Sequence, residues 1–390
     1  MAAPSLLTYR DALDHTVNFL SGRQSASMDL RRSAVHEAYR EVAVASDWTF
    51  LIKQGRIVAE VPQITGTVAY DHTGGTYERQ LTLTGATWPA NVIDYSIRID
   101  DVVCDIEERK SDTVVTLSPT MNPGADVAAG ETYSLYRRWY VLPSDFDHMI
   151  QPGDENYFNL GKYLAPSEWM MLNRHQDTSG QLTFYTIIGV PDLIGTLGLF
   201  VHPLRETVGP IDFIYKRKPR TLRYSGNTAS DHGGTITLTQ GSAIVVGVGT
   251  AFASAMAGSV LRTAGNSTAP TGLTGGNPWI EERVILSVTD STHLTLDNVA
   301  ASSLSGVAYM ISDPIDLGPE TWSYFYRCIE KHMALMLGMD DAGGFVMLAE
   351  EERLRAKAGD NRVRERRVAG SMTRTYRRLA DMPITLGISE

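Results

Sequence analysis

The sequence predicts an α+β fold: a helical scaffold built from both chain ends, with two inserted, duplicated small antiparallel β-domains. Three observations carry that expectation. A β-type stretch occurs twice, as Gly85-Ala86-Thr87-Trp88, Ile97-Arg98, Val115-Thr116-Leu117 and Gly130-Glu131-Thr132-Tyr133-Ser134-Leu135, then as Gly249-Thr250-Ala251-Phe252, Leu261-Arg262, Leu294-Thr295-Leu296 and Gly306-Val307-Ala308-Tyr309-Met310-Ile311. Apolar residues at helical spacing gather near the two ends of the chain. Between them run short β-branched and aromatic segments punctuated by Gly, Pro, Asn and Asp. Two copies are too few for a solenoid, which needs about three or more units to bury a continuous core, so each copy is expected to be a domain in its own right.

The elements follow in order. Residues 1–58 are the N-terminal part of the scaffold. Tyr9, Leu13, Val17 and Leu20 mark a helix over 6–20 that Gly22 ends. Ser27 as N-cap and Asp29 in the first turn open a second helix running to about Ala45, with Leu30, Ala34, Ala38, Val42 and Ala45 on its inner face. Trp48, Phe50 and Leu51 plug its end. The first β-module spans 59–140, linking scaffold strands 141–225, and the second module 226–313. Residues 314–359 form a helical hairpin, whose first arm starts at Gly318-Pro319 with Trp322, Phe325, Ile329, Met333 and Met336 as its stripe. Residues 360–390 are polar, basic and poor in periodic apolar residues, the pattern of an extended tail without structure of its own.

Composition narrows the function classes. The chain of 390 residues carries 35 Lys and Arg against 45 Asp and Glu, and between Arg353 and Arg378 the balance reverses to basic. An acidic body with a basic C-terminal end is not the charge layout of a duplex-binding face. No apolar run approaches the roughly 18 residues of a membrane span, and the N-terminus lacks the layout of a signal peptide, so no membrane association is expected and the chain reads as made in the cytosol. Cys104 and Cys328 stand apart with no second ligand at metal spacing, and read as reduced and packed.

Chemistry is sparse. The P-loop, nucleophile-elbow, zincin and C-x-x-C patterns are missing, and Gly247-Val248-Gly249 lacks the third glycine of a nucleotide fingerprint. Asp145, Asp147 and His148 are a possible divalent-ion group that a turn explains equally well. Asp71-His72-Thr73-Gly74-Gly75 and Asp231-His232-Gly233-Gly234 sit at what read as corresponding places in the two modules, where Asp and Gly-Gly suit a tight turn. Trp88 and Phe252 read as a shared core position, and Trp139 and Tyr140, beside Arg137-Arg138, as interface candidates. Asp154 and Glu155 are the carboxylates a glycan-cleaving enzyme would call on, but nothing pairs them at the required spacing. The expectation is a non-enzymatic protein without catalytic residues, metal or cofactor.

Three segments resemble the head-to-tail adaptors of tailed bacteriophages, the tail tubular protein A class. They are the helix Asp29-Leu30-Arg31-Arg32-Ser33-Ala34-Val35-His36-Glu37-Ala38-Tyr39-Arg40-Glu41-Val42 closing on Asp47-Trp48-Thr49-Phe50-Leu51, the run Leu199-Phe200-Val201-His202-Pro203 through Ile211-Asp212-Phe213-Ile214-Tyr215 to Lys216-Arg217-Lys218-Pro219, and the terminal Glu351-Glu352-Arg353-Leu354-Arg355-Ala356-Lys357-Ala358 with Asp360-Asn361-Arg362. Together they cover about a third of the chain, and none is a strict motif. The resemblance implies a structural virion protein forming a homo-oligomeric ring, usually twelvefold, between portal protein and a downstream tail or nozzle protein, located at the head-to-tail interface after assembly in the host cytoplasm. Genome DNA passes through without specific binding, and Arg362, Arg364, Arg366, Arg367, Arg374, Arg377 and Arg378 dock the C-terminal segment into the portal. The duplicated module departs from the family pattern. It leaves open a second class of function, a receptor- or carbohydrate-binding tail protein.

Overall fold

The computed structural model describes residues 6–22, 25–137, 139–150, 161–172, 182–190, 193–204, 208–268 and 279–369. The chain divides into two compact units, Met1–Leu51 with Pro219–Glu390, and Ile52–Lys218.

In the first unit, α1 (Tyr9–Leu20) opens with a capping box. The Thr8 hydroxyl accepts from the Asp11 backbone N–H and the Asp11 carboxylate accepts from that of Thr8, pairing two donors that a helix start otherwise leaves unsatisfied. Ser27 caps α2 (Met28–Val44), which buries Ala34, Val35, Ala38, Tyr39 and Val42. Trp48 is fully buried, its indole N–H donating to the Val42 carbonyl at 2.6 Å.

The second unit opens with β1 (Ile52–Ala59). Next come β2 (Thr67–Asp71), β3 (Gln80–Thr84), β4 (Tyr95–Ile99), β5 (Val102–Arg109), β6 (Val114–Leu117), β7 (Val127–Glu131) and β8 (Tyr133–Arg137), an antiparallel sheet ordered β7-β2-β3-β6-β5-β4-β8 and curled into half a barrel. β5 makes the corner. Its first half pairs with β4 and its second with β6, with a bulge between Ile106 and Glu108, and the extra residue bends the strand. Alternate residues such as Val68, Tyr70, Leu81, Leu83, Val115 and Leu117 point inward around Trp88, each buried side chain stabilising by about 1.5–3 kcal/mol over its exposed state.

β9 (Trp139–Val141), β10 (Phe146–Met149), β11 (Lys162–Tyr163), α3 (Pro166–Leu172), β12 (Phe184–Gly189), β13 (Leu197–His202) and β14 (Gly209–Arg217) complete that unit. They build two further sheets, β1-β14-β10 and β11-β12-β13-β9, over a core that includes Tyr140, Leu142, Phe146, Leu199, Ile211 and Phe213.

Back in the first unit, α4 (Ala229–His232) precedes β15 (Thr235–Leu238), β16 (Ile244–Val248), β17 (Val260–Thr263), β18 (Glu281–Val288), β19 (His293–Leu296), β20 (Leu304–Val307) and β21 (Tyr309–Ser312). Their order, β20-β15-β16-β19-β18-β17-β21, repeats that of the first module strand for strand. The bulges repeat as well, between Ile285 and Ser287 as between Ile106 and Glu108, and between Ile236 and Leu238 as between Val68 and Tyr70. Trp88 meets Tyr133 edge to face at 5.6 Å and 67°, and Phe252 meets Tyr309 at 5.7 Å and 69°. Gly66 and Gly234 both hold positive φ, at 92° and 83°, and a Cβ there would stand 2.4 Å and 2.3 Å from the carbonyl oxygens of Thr84 and Val248. Only glycine fits either place.

α5 (Trp322–Met336) and α6 (Ala342–Ala369) follow. Leu13, Leu20, Val35, Val42, Phe325, Ile329, Met333 and Ala349 bring α1, α2, α5 and α6 into one core. The second module is tied to this core by charge. Arg262 on β17, 4% exposed, reaches both Asp11 oxygens at 2.7 and 2.9 Å, Glu282 at 2.8 Å and the Leu6 carbonyl at 2.9 Å. Its counterpart in the first module, Arg98, pairs with Asp101 at the surface.

The expected fold class does not hold. The described residues are β-rich, with four sheets including two half-barrels, and helix accounts for only 27%, so a helical scaffold at both chain ends with two β insertions misdescribes the fold. Three readings led there. Residues 52–58 belong to β1, not to the helical segment. The segment 141–225, taken as linking strands, contains most of two sheets with their own core. The first module shares a unit with those sheets while the second shares one with the helices, so the two copies are not equivalent insertions. Short strands such as Leu197–His202 announce themselves locally, but which sheet they join depends on partners far along the chain.

Candidate functional site

The residues expected to dock a partner are the C-terminal arginines, and their setting is α6. Ala349, Ala356 and Asp360 recur at spacings that place them on one face, and all three are buried. Phe345 packs edge to face on Phe19 of α1 at 5.2 Å. The buried Asp360 carboxylate accepts the Thr49 backbone N–H at 2.9 Å, pinning the helix to the segment after α2. On the outer face Arg353 pairs with Glu350, and Arg355 with Glu352 at 2.6 Å and Glu351 at 2.5 Å, exposed pairs each worth about 0.3–0.5 kcal/mol.

The helix does not stop at Gly359. It continues to Ala369, so the extended tail expected from residue 360 is helical over its first ten residues. A mid-helix glycine costs about 1 kcal/mol relative to alanine, and the Asp360 to Thr49 bond immediately beyond it offsets that loss. Arg362, exposed, and Arg364, Arg366 and Arg367 therefore lie on α6. Arg374, Arg377 and Arg378 lie outside the described residues, as do Asp154 and Glu155.

Other candidates find structural partners. The Asp145 carboxylate accepts from Lys53 Nζ and from the Tyr215 hydroxyl, each at 2.8 Å. Burial works against its ionisation, but these two bonds outweigh that and hold the carboxyl below its ordinary range, while burial and then Asp145 push the Tyr215 hydroxyl up to about 12. Asp147 pairs with the adjacent His148 at 3.0 Å. Among the described residues no cluster of three or more His, Cys, Asp or Glu has the arrangement of a metal site. Cys104 and Cys328 are buried free thiols, raised by desolvation to about 12.

The two Asp-His-Gly motifs are not counterparts. Asp71 ends β2 and accepts the Gly74 N–H, and His72 Nδ1 meets the Tyr70 hydroxyl at 3.0 Å. Asp231 lies before the first strand of its module, in α4, 1% exposed, where it accepts the Gly226 N–H at 2.9 Å and completes a capping box with Thr228. The aligned pair is Gly66 with Gly234, so the motif match came one turn away from the true register. Trp88, Phe252, Trp139 and Tyr140 are buried, at 2, 6, 7 and 3% exposure, which places Trp88 and Phe252 in the cores of their modules and moves Trp139 and Tyr140 from interface to interior. Arg137 lies 5.2 Å from the Tyr140 ring centre and bonds Glu60 at 3.0 Å.

Sequence reasoning missed Arg262, Asp313 and Glu41. Asp313, wholly buried, accepts from Arg223 N, Tyr224 N, Ser259 Oγ and Arg220. Glu41 binds His332 at 2.8 Å and also Lys331. Their partners stand tens to hundreds of positions away, beyond any local signal.

No protein-family model, curated protein or solved structure matches the chain.

Proposed function

We propose that the chain is a structural virion protein, a ring-forming head-to-tail adaptor that joins portal to tail and forms part of the DNA ejection channel. The observation that carries this reading is the concentration of basic charge on the last turns of an anchored helix in an otherwise acidic chain. Guanidinium groups held on α6 and beyond it suit carboxylates on a neighbouring ring through charge-assisted forks. Repetition around a ring, twelvefold in the class the chain resembles, multiplies a modest contact into a durable joint. The net charge of -10 repels phosphates, as a passage for DNA requires. The first resembling segment is α2 with Trp48, the second runs through β13 and β14, and the third is α6.

The reading makes the chain non-enzymatic, resident at the head-to-tail interface, and a partner of portal and of a downstream tail protein. Its test is co-sedimentation with portal particles. Replacing Arg374, Arg377 and Arg378 by Glu should abolish association while leaving the melting temperature of the free chain unchanged, and wild-type association should weaken as salt rises. Unaltered association of the charge-reversed chain contradicts the docking role.

A further inference from the structure

The outer face of α6 carries a line of side chains turned away from the core. At about 100° per residue, Gly343, Met347, Leu354, Ala358 and Asn361 fall within about 60° of one another, opposite the buried Ala349, Ala356 and Asp360. All five are exposed, Met347 by 75% and Leu354 by 58%. Charged residues flank this line and divide by sign along the helix. Glu350 and Lys357 border one side, and Glu351, Arg355 and Arg362 the other, with the carboxylates nearer the N-terminal end and the cations nearer the C-terminal end. At the level of Glu350 and Glu351 the line runs between the two carboxylates. The exposed face of α2 shows the ordinary solvated case, with Asp29, Ser33, Glu37 and Arg40 in line and one apolar residue, Val44, at its end.

A second copy of the same helix, laid antiparallel, meets these features in a single register. A twofold axis brings each flank of α6 against the same flank of the second copy, so each flank must complement itself when reversed. On one flank Glu350 meets Lys357 of the second copy, and on the other Glu351 meets Arg355. Both pairings centre the axis beside Leu354, which then packs on its own counterpart, and the same register sets Met347 between Ala358 and Asn361 of the second copy. Gly343 and Ala358 lack the bulk to hold the helices apart. A parallel pair would instead set Glu350 against Glu351 and Lys357 against Arg355, which opposes its formation. Within one chain Glu350 pairs with Arg353, and Arg355 with Glu351 and Glu352. Such exposed contacts contribute little, and each carboxylate can accept from more than one donor.

We propose that α6 is a self-association surface, on which two copies of the chain pair antiparallel through residues 343–361 with Leu354 at the twofold axis. A twofold contact does not close a ring, so the pairing belongs to the free chain. This inference goes beyond the portal reading and stands without it. The test is sedimentation velocity of the purified full chain, where a dimer with a dissociation constant on the order of micromolar is expected. Leu354→Glu should weaken it at least tenfold, roughly the loss of one central anchor. Glu350→Lys and Lys357→Glu should each weaken self-association, and an equal mixture of these two variants should recover it, because every contact on that flank then joins opposite charges. Circular dichroism checks that each variant folds, and the charge-swap mixture carries the test if Leu354→Glu does not. A chain that stays monomeric at every concentration, as it would if another protein covers α6, overturns the proposal. So does self-association that Leu354→Glu leaves unchanged, or a mixture that associates no better than either variant alone.

Discussion

Gly55 on β1 faces Phe213 on β14 directly, and a Cβ there would stand 2.4 Å from two carbons of that ring. Phe213 has no exposed surface to yield. Gly55→Ala is therefore expected to cost about 1–3 kcal/mol in urea unfolding through overpacking, whereas Gly189→Ala, in a strand with open space around it, should stay within about 0.5 kcal/mol. Equal effects would remove the steric argument. A second residue-scale outcome concerns acid. The hydrogen bond from His332 first, and then Lys331, against the cost of burial, hold Glu41 at about 2 where an ordinary glutamate sits at 4.5. A carboxyl lowered by folding contributes stability that is complete above its unfolded pKa and lost as pH falls through its folded one. Between pH 5 and pH 2 the wild type should thus lose stability more steeply than Glu41→Gln, read as urea midpoints across that window, and parallel curves would contradict the assignment. At this scale some positions were legible in the sequence. Ser27 caps α2, and Trp48, Phe325, Ile329 and Met333 are buried as their spacing suggested. Val17 and Met336, on the same expected stripes, are 43% and 39% exposed, because a stripe fixes a direction and the packing neighbours decide how wide it is.

Elements were legible where their signals are local and opaque where partners are distant. The start of α5 after Gly318-Pro319 and the turn before α6 follow from helix-boundary chemistry. The run of α6 through Gly359 did not, since the Asp360 to Thr49 bond joins residues 311 positions apart. The same holds for Arg262 and Asp11, separated by 251 positions. Their pairing gives a matched experiment. Arg262→Ala strands Asp11 and Glu282 without their cation in a largely buried site, and breaking such a pair costs about 3–5 kcal/mol. Arg98→Ala, its counterpart facing an exposed Asp101, should cost no more than about 1 kcal/mol. Comparable losses in the two variants would mean that the buried network does not anchor the second module to α1.

For the whole molecule, the duplication was the strongest signal in the sequence and its meaning was the hardest to read. Gly85-Ala86-Thr87-Trp88 and Val115-Thr116-Leu117, returning as Gly249-Thr250-Ala251-Phe252 and Leu294-Thr295-Leu296, identify the copies, and the shared strand order bears on them directly. What they do not reveal is that the first copy belongs with the sheets of residues 141–218 and the second with the helices, because that division rests on cores assembled from both sides of each insertion. The arginines of the candidate site were visible as composition, and their helical presentation up to Ala369 was not. The same presentation sets the boundary for truncation. A chain ending at Ala369 keeps Asp360 and its bond to Thr49, so it should fold like the full chain yet fail to enter portal-bearing particles, and normal incorporation would assign docking to another part of the molecule. The adaptor account as a whole is tested most directly by electron cryomicroscopy of the purified chain mixed with portal from the same particle. The account expects a second ring stacked coaxially on the portal, with an open channel and the C-terminal end of α6 directed into the portal, and a portal ring with no added density would contradict it.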